Sequence, residues 1–326
     1  MMNRYIFMRT LKKAFLVGAR TVGRYFTRSS FLPSPVPILS IECTNFCNSK
    51  CVYCANSNMQ TPRQHLDMEK YKKAIDEFVA MGGVDINFNS CIGEPLLDPT
   101  LVEKIKYLRK YPQLKFEGFF TTLQWLHKFN LGEFFEMGNA AITISTSLSG
   151  KEKYCEFFGE DLYEQALKNI LTLIEENKKR ANPLKILFMI VPTNEPIDAV
   201  VKHPDFYLVD SLTDKAATRG LKAFVDDWFG KVNLPSYMRK RPIYFRAFAP
   251  CAIMLKRLVV FSNGKIGICP SRDYEQKLVL GDISRDSLKD AWNSEPLNKL
   301  RNDWRKKNII PDICLHCGRY EVAQRK

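Results

Sequence analysis

The chain has 326 residues, enough for one large domain or two smaller ones. Its 45% hydrophobic and 26% charged residues are typical of a globular protein, and no run of 18 apolar residues predicts a transmembrane helix. The net charge of +14 suits an anionic partner (nucleic acid, a membrane surface, a phosphorylated substrate) or a lysine-rich surface without one. Ten cysteines are too sparse for a disulfide scaffold, and their clustering favours metal ligands or catalytic groups.

Residues 1–31 differ from the rest of the chain in charge. They contain seven Lys or Arg and no acid, since the first acid is Glu42, and their apolar residues recur at roughly helical spacing. Such a basic amphipathic helix could lie on an anionic membrane, serve as a mitochondrial transit peptide, or pack on the enzyme's own flank. Three prolines within residues 33–37 then predict an extended linker.

Strand and helix patterns alternate from residue 36 to about residue 211. Predicted strands cover 36–42, 84–89, 115–121, 140–146, 184–191 and 205–210. Predicted helices cover 67–81, 99–110, 123–137 and 160–180. Repeated strand–helix units imply a parallel sheet with ligands at the carboxyl ends of its strands. The pattern weakens over residues 212–246, where the sequence predicts no definite strand or helix.

Three cysteines follow the first predicted strand within eight residues. Cys47, Cys51 and Cys54 form a C-x3-C-x2-C arrangement. Three thiolates could hold three irons of a 4Fe–4S cube and leave the fourth iron open, and an open position is a feature of catalytic metal sites. For this spacing taken by itself, a zinc knuckle that lacks one ligand and three unrelated thiols are the alternatives.

The segment after the second predicted strand is expected at the same edge of the sheet. Residues 93–97 read Gly-Glu-Pro-Leu-Leu, in which Gly93 permits close backbone approach and Glu94 could accept a hydrogen bond from an ammonium group. Tyr53, just before the last cysteine of the loop, is an aromatic side chain that could shield a cluster or stack on a bound ring.

These motifs together resemble the radical S-adenosylmethionine (SAM) superfamily. Residues 42–54 read E-x-T-N-x-C-N-x-x-C-x-x-C, and the Gly-Glu-Pro-Leu-Leu segment follows. The resemblance covers roughly residues 36–211 and implies an α/β fold, a partial (β/α)6 barrel of parallel strands. It also implies an open iron that chelates SAM, one-electron cleavage of SAM to a 5′-deoxyadenosyl radical, and abstraction of hydrogen from a substrate.

The resemblance implies roles for individual residues. The three loop cysteines would bind the cluster, Gly93 and Glu94 would hold the methionine amino group, and Tyr53 would lie near the adenine. The residues that match the family's ribose and carboxylate contacts, at the ends of the third and fourth strands, are Thr121, Thr122, Ser145 and Ser147. One departure is visible, because many members have two glycines before the glutamate and Ile92 replaces the first of them here.

A second unit starts near residue 250. The Asn-Gly pair at 263–264, between apolar runs 258–262 and 265–269, predicts a β-hairpin, and an apolar face over 287–304 predicts a helix. Four further thiolates could surround one metal centre, which by donor type alone could be zinc or 4Fe–4S. They are Cys251, Cys269, Cys314 and Cys317.

The second unit resembles the SPASM/Twitch extensions of the same superfamily, which carry auxiliary 4Fe–4S clusters. Because no cysteine follows Cys317, the resemblance implies a single auxiliary cluster with four protein ligands, similar to 2-deoxy-scyllo-inosamine dehydrogenase-type Twitch enzymes. Arg272, Asp273 and Tyr274 follow Cys269 closely and could face a substrate or form a solvated turn.

We therefore expect three segments: an N-terminal helix and linker (1–35), a radical SAM barrel (36–246) and an auxiliary-cluster unit (247–326). The expected reaction is oxidation of an alcohol on a sugar, a cyclitol or a lipid-linked saccharide, with flavodoxin or ferredoxin as electron donor. Modification of a ribosomal peptide is the alternative enzyme, and a non-enzymatic zinc protein is the alternative of another class. We expect a cytoplasmic protein with no nucleic-acid partner and with residues 1–31 as a candidate membrane contact.

Overall fold

A computed structural model describes residues 33–89, 91–136, 138, 140–191, 195, 197–213, 218–221, 225–238, 250–307 and 309–320. The predicted N-terminal helix lies outside these residues, as does part of the unplaced 212–246 region. Among the described helices, none is both long enough and apolar enough to cross a membrane.

Seven parallel strand segments form the core of the fold, in two hydrogen-bonded groups ordered β1–β2–β3 and β4–β5–β6–β7. They are β1 (Ile38–Ile41), β2 (Asp85–Asn87), β3 (Lys115–Phe116), β4 (Gly118–Thr121), β5 (Ala141–Thr146), β6 (Lys185–Ile190) and β7 (Thr218–Leu221). Only Glu117 separates β3 from β4, and backbone hydrogen bonds continue across it, from Glu117 N to Ile86 O and from Phe88 N to Gly118 O. β3 and β4 are therefore one bent strand, and the six-stranded parallel sheet confirms the partial-barrel prediction.

The helices between these strands are α1 (Met68–Ala80), α2 (Leu101–Leu108), α3 (Leu131–Phe135), α4 (Lys151–Phe158), α5 (Tyr163–Lys178), α6 (Ile197–Val200) and α7 (Pro204–Leu212). The helix predicted over 123–137 is instead a short 3-10 turn (Leu126–Lys128) and α3, because Asn130 caps a new helix by accepting a hydrogen bond from Glu133 N.

The strand predicted over 205–210 is wrong, because these residues lie in α7. Pro204 stands in the first turn and the His203 side chain accepts a hydrogen bond from Asp205 N, so both residues favour a helix start. Phe206 and Val209 are three residues apart and are both buried, as expected for one helical face. The sixth strand of the barrel is β7.

The C-terminal unit contains α8 (Ala252–Lys256), β8 (Arg257–Val260), β9 (Lys265–Gly267), β10 (Val279–Asp282), α9 (Leu288–Asn293), α10 (Glu295–Asn302) and α11 (Asp312–Leu315). β8 and β9 are antiparallel and Gly264 has φ of 89°, which confirms the predicted hairpin. β8 also pairs in parallel with β1, so the sheet order is β10–β9–β8–β1–β2–β3. The hairpin therefore extends the barrel sheet, and its turn lies beside the carboxyl end of β1.

Alternation along β1 separates a core face from a polar face. Leu39, Ile41 and Cys43 lie in the main hydrophobic core, which the helices and both C-terminal tryptophans share. Ser40 and Glu42 point to the opposite face, since successive strand residues alternate, and both are buried. The inner face of β1 therefore carries polar groups toward the carboxyl edge, where the cysteine loop begins.

Candidate active site

The three-cysteine loop is anchored on both sides by backbone hydrogen bonds. Lys50 N and Val52 N donate to Phe158 O and Phe157 O, at 2.8 and 3.0 Å, at the end of α4. Within the loop and the turn that follows it, Asn56 Nδ2 donates to Ser49 O at 2.7 Å. These bonds hold the loop backbone in place independently of any ligand at the thiols.

The thiols of this loop are close enough to affect one another's ionisation. Burial, and after it the charges of Glu94 and Cys54, raise the pKa of Cys47 to about 12. Burial, then Cys54 and Cys47, raise the pKa of Cys51, while a hydrogen bond from Tyr53 lowers it. Metal binding requires thiolates, and three neighbouring thiolates in a buried loop require a compensating cationic centre. The donor set therefore fits an iron–sulfur cluster.

The Gly93–Glu94 segment lies directly on the cysteine loop. Gly93 has φ of 130°, and a Cβ atom there would overlap the backbone oxygen of Thr44. Glu94 N donates to Phe46 O at 2.8 Å. Only glycine allows this close approach, so the sequence prediction that residues 93 and 94 reach the cysteine-loop edge of the sheet is confirmed.

The carboxylate of Glu94 is bound by four protein donors. Oε1 accepts from Thr121 Oγ1 at 2.6 Å and from Leu96 N at 3.2 Å; Oε2 accepts from Thr122 N at 2.7 Å and Thr122 Oγ1 at 2.8 Å. A carboxylate has about four acceptor positions, so these bonds occupy the whole group. Glu94 thus fastens the 93–97 segment to the carboxyl end of β4, and Thr121 and Thr122 are its partners.

The serines predicted at the end of β5 differ in their surroundings. Ser145 is half-buried within the strand. Ser147 is completely buried, and its hydroxyl has no hydrogen-bond partner among the described residues. An orphaned buried hydroxyl is rare in folded proteins and calls for a partner such as a water, an ion or a ligand, so Ser147 fits contact with a polar part of SAM.

The four C-terminal cysteines all line one pocket. Cys251 precedes α8, Cys269 follows β9, Cys314 lies in α11 and Cys317 follows that helix. Most of the other lining side chains are apolar, and three are polar or charged: Ile253, Met254, Ile268, Leu278, Trp304 and Tyr320, with Ser271, Arg272 and Arg319. The structure therefore brings together four thiols that are far apart in sequence, as predicted, and a four-thiolate pocket with largely apolar walls fits a 4Fe–4S cluster.

Charges near this cavity act on its thiols. Burial raises the pKa of Cys317 to about 11; Cys269 and Asp226 also raise it, and Arg272 lowers it. Burial also raises the pKa of Cys314, and the other three thiols add to that rise. As in the first loop, the thiolate state requires a cationic centre.

Sequence reasoning missed a residue that contacts both sites. Trp228, in the unplaced region, donates from Nε1 to Tyr53 O at 2.9 Å, and its ring packs against Tyr274. Ile92, which stands where many family members have glycine, belongs to the same small core. No periodicity marks Trp228, because a single aromatic in an irregular segment has no pattern to reveal its role.

Glu42 is another buried polar residue of the site, within the cysteine motif but without an expected role. Its Oε1 accepts hydrogen bonds from Ser262 N and Ser262 Oγ, at 3.2 and 2.8 Å, in the hairpin turn. Burial raises the pKa of this carboxyl to about 7, although the Ser262 bonds and Arg63 act in the opposite direction. Glu42 thus connects the barrel edge to the C-terminal hairpin.

The parallel partial barrel, a three-thiol loop at its carboxyl edge and a separate four-thiol cavity define an iron–sulfur enzyme with an open and a closed cluster site. The sequence profile of the radical SAM superfamily matches residues 41–206, about half of the chain, and the protein belongs to that superfamily. A profile described as an iron–sulfur cluster-binding domain (SPASM) matches residues 251–318. The protein is therefore a radical SAM enzyme that binds 4Fe–4S clusters and SAM.

Solved structures share this fold at low identity. BtrN in complex with AdoMet and 2-DOIA is 17% identical with a TM-score of 0.55, over 90% of this chain and 98% of that one. Streptococcus suis SuiB bound to the precursor peptide SuiA is 15% identical with a TM-score of 0.59, over 95% and 74%. The GTP 3′,8-cyclase of Mannheimia succiniciproducens is 24% identical over 135 residues, and the match spans only 39% of that protein.

Proposed function

We propose that the protein oxidises an alcohol of a small hydroxylated molecule, such as a sugar or cyclitol, to a carbonyl. The observation that carries this proposal is the four-thiol cavity, since it lies apart from the three-thiol loop and leaves no open position on a bound cluster. A closed cluster is suited to taking up an electron, which alcohol oxidation requires and a simple rearrangement does not. The likeness of the fold to BtrN, solved with AdoMet and 2-DOIA, supports this substrate class.

In this proposal, Cys47, Cys51 and Cys54 bind the SAM-cleaving cluster, and Cys251, Cys269, Cys314 and Cys317 bind the auxiliary one. When bound and reduced, the first cluster and SAM supply a 5′-deoxyadenosyl radical that abstracts hydrogen from the substrate. Residues 36–246 form the barrel and 247–326 the auxiliary unit, joined by the β1–β8 pairing.

The chain's own residues then bind and orient. Ser147 offers its unpartnered hydroxyl to SAM, with Ser145 beside it, and Tyr53 donates to the Cys51 sulfur. Because the Glu94 carboxylate is fully occupied by Thr121, Thr122 and Leu96, we propose that it holds the Gly93 backbone in position. The amino group of SAM would then be bound chiefly by backbone oxygens of this segment.

The reaction also needs a group that takes the hydroxyl proton of the substrate. Glu42 is suited to hold it, because burial raises the pKa of its carboxyl to about 7 and its Oε2 makes no hydrogen bond to the described residues. It lies at the carboxyl end of the barrel, between the cysteine loop and the C-terminal hairpin.

Anaerobic reconstitution tests the first part of the proposal. Two four-iron clusters predict about eight iron and eight sulfide per chain. Dithionite-reduced enzyme should convert SAM to 5′-deoxyadenosine, and the Cys47, Cys51 and Cys54→Ala variant should not. A colourless protein with bound zinc and no sulfide would contradict the proposal and favour the zinc-binding alternative.

The substrate class is tested by comparing families of compounds. Amino sugars, cyclitols and lipid-linked saccharides should raise 5′-deoxyadenosine formation above the substrate-free rate and yield a product lighter by two hydrogens. Peptide modification is the second candidate, supported by the likeness to SuiB solved with a precursor peptide. Stimulation by peptides alone would favour that candidate. Replacement of dithionite by flavodoxin or ferredoxin tests the physiological donor.

A further inference from the structure

Residues 225–234 lie between the two thiol sites and contact both. Trp228 Nε1 donates to the backbone oxygen of Tyr53 at 2.9 Å, inside the three-cysteine loop. The same indole ring packs against the Tyr274 ring, with centroids 5.6 Å apart, and the guanidinium carbon of Arg272 lies 4.1 Å from its centroid. One side chain therefore links the loop of the first site to a residue in the wall of the second.

Arg272 is fixed by two kinds of contact. Its Nε donates to Asp226 Oδ1 at 2.9 Å, and the side chains of this ion pair are only 16% and 3% exposed. The guanidinium also lies over the Trp228 ring, an arrangement that attracts a cation to the face of an aromatic ring. Held from both sides, Arg272 lines the cavity that contains the four C-terminal thiols.

The segment that holds Arg272 is itself tightly constrained. Trp228 and Phe229 have φ of 50° and 63°, a left-handed conformation that costs roughly 1–2 kcal/mol for each residue without glycine's freedom. Trp228 N donates to Asp226 Oδ1 at 2.8 Å, the oxygen that also accepts from Arg272. Asp226 packs against Gly318, next to Cys317, so closely that a Cβ at residue 318 would overlap its carboxylate.

We propose that Arg272 is a positioning residue that favours the reduced state of the auxiliary cluster, and that Asp226 and Trp228 hold its charge at the cavity wall for this purpose. A cluster bound by four thiolates gains one negative charge on reduction, so a fixed cation nearby favours the uptake of one electron. This role rests on the proposed binding of that cluster by Cys251, Cys269, Cys314 and Cys317.

The test is a redox titration of the full chain with only the auxiliary cluster. The Cys47, Cys51 and Cys54→Ala variant is reconstituted anaerobically to about four iron per chain and titrated with dithionite and mediators, followed by electron paramagnetic resonance. In this background, Arg272→Gln should lower the equilibrium constant for cluster reduction about tenfold, the size expected when one nearby charge is removed. Arg272→Lys should stay close to the parent because it keeps the charge.

Two further comparisons separate this role from general damage to the site. Trp228→Ala should lower the same constant by releasing Arg272, whereas Trp228→Phe keeps a ring under the guanidinium and should change it less. Lys277→Gln removes an exposed charge that pairs with Glu275 and should have no effect. If Arg272→Gln fails to retain iron, the comparison of Trp228→Ala with Trp228→Phe tests the role of Arg272 instead.

The outcomes of this titration are distinct. Equal potentials for Arg272→Gln, Arg272→Lys and the parent would overturn the role of Arg272 while leaving the proposed function intact. Where Arg272→Gln has lost its iron, equal potentials for Trp228→Ala and Trp228→Phe would overturn it as well. A parent variant that binds no iron would instead overturn the proposed cluster site itself.

Discussion

Replacing Glu42 by glutamine should change how the stability of the protein depends on pH. Glutamine keeps the shape of the side chain and can still accept the two Ser262 hydrogen bonds through its oxygen, but it does not titrate. Burial raises the pKa of the Glu42 carboxyl from 4.5 to about 7. Between these two values, the folded protein keeps a proton that the unfolded chain has released.

The sign and size of the effect follow from this proton. The contribution of Glu42 to the free energy of unfolding falls as pH rises from about 4.5 to 7 and is level above that, because above pH 7 the folded state must hold a buried charge. At 1.36 kcal/mol per pKa unit, the whole loss is about 3 kcal/mol, of which roughly 2 kcal/mol falls between pH 5.5 and pH 8. The difference in free energy of unfolding between Glu42→Gln and the wild type should therefore increase by about 2 kcal/mol, in favour of the variant, between pH 5.5 and pH 8.

Anaerobic urea unfolding, followed by tryptophan fluorescence at pH 5.5, 7 and 8, measures this difference on identically reconstituted proteins. Glu103→Gln is the matched control, since Glu103 lies exposed on α2. Its free energy of unfolding should differ from that of the wild type by the same amount at all three pH values. A difference between Glu42→Gln and the wild type that stays constant across the three pH values would refute the raised pKa. It would also remove the physical basis for Glu42 as the group that holds a substrate proton.

Four other predictions concern the Gly93–Glu94 segment, the auxiliary site and residues 1–31. Gly93→Ala should destabilise the protein by about 2–4 kcal/mol and reduce SAM binding, measured by urea unfolding and calorimetry, because a Cβ would overlap Thr44 O. Glu94→Gln should lower the free energy of unfolding by about 1–3 kcal/mol, since its amide would face hydroxyl and backbone donors; an unchanged value would mean that the four bonds contribute nothing. Replacing Cys314 and Cys317 with Ala should reduce bound iron from about eight to about four per chain, and full iron content would refute the auxiliary site. Deleting residues 1–31 should abolish co-sedimentation with anionic liposomes, as the sequence-predicted basic amphipathic helix implies; equal pelleting of both forms would exclude a membrane contact through these residues.

The parts of the fold that sequence predicted well are those with a strong local signal. The buried strands and α1, α2 and α5 have clear periodicity, and the Asn-Gly pair at 263–264 specifies a tight turn whose backbone few residues adopt. The segment 205–210 failed because a short apolar run suits a strand or a helix equally, and there the first-turn proline and the capping side chain decide. The irregular segment that carries Trp228 has no local signal at all.

The sequence by itself determined the family of this protein and the candidate ligands: the C-x3-C-x2-C spacing, the Gly93–Glu94 pair and the four later cysteines already predict where two iron–sulfur sites lie. Only the tertiary structure decided how these donors are held. The β1–β8 pairing fuses the two units, four protein donors occupy Glu94, and Trp228 with Arg272 connects the sites. The physical reason is that the residue types able to bind iron can be recognised in the sequence, whereas contacts such as that between Tyr53 and Trp228 join residues 175 positions apart, which only the folded chain brings together.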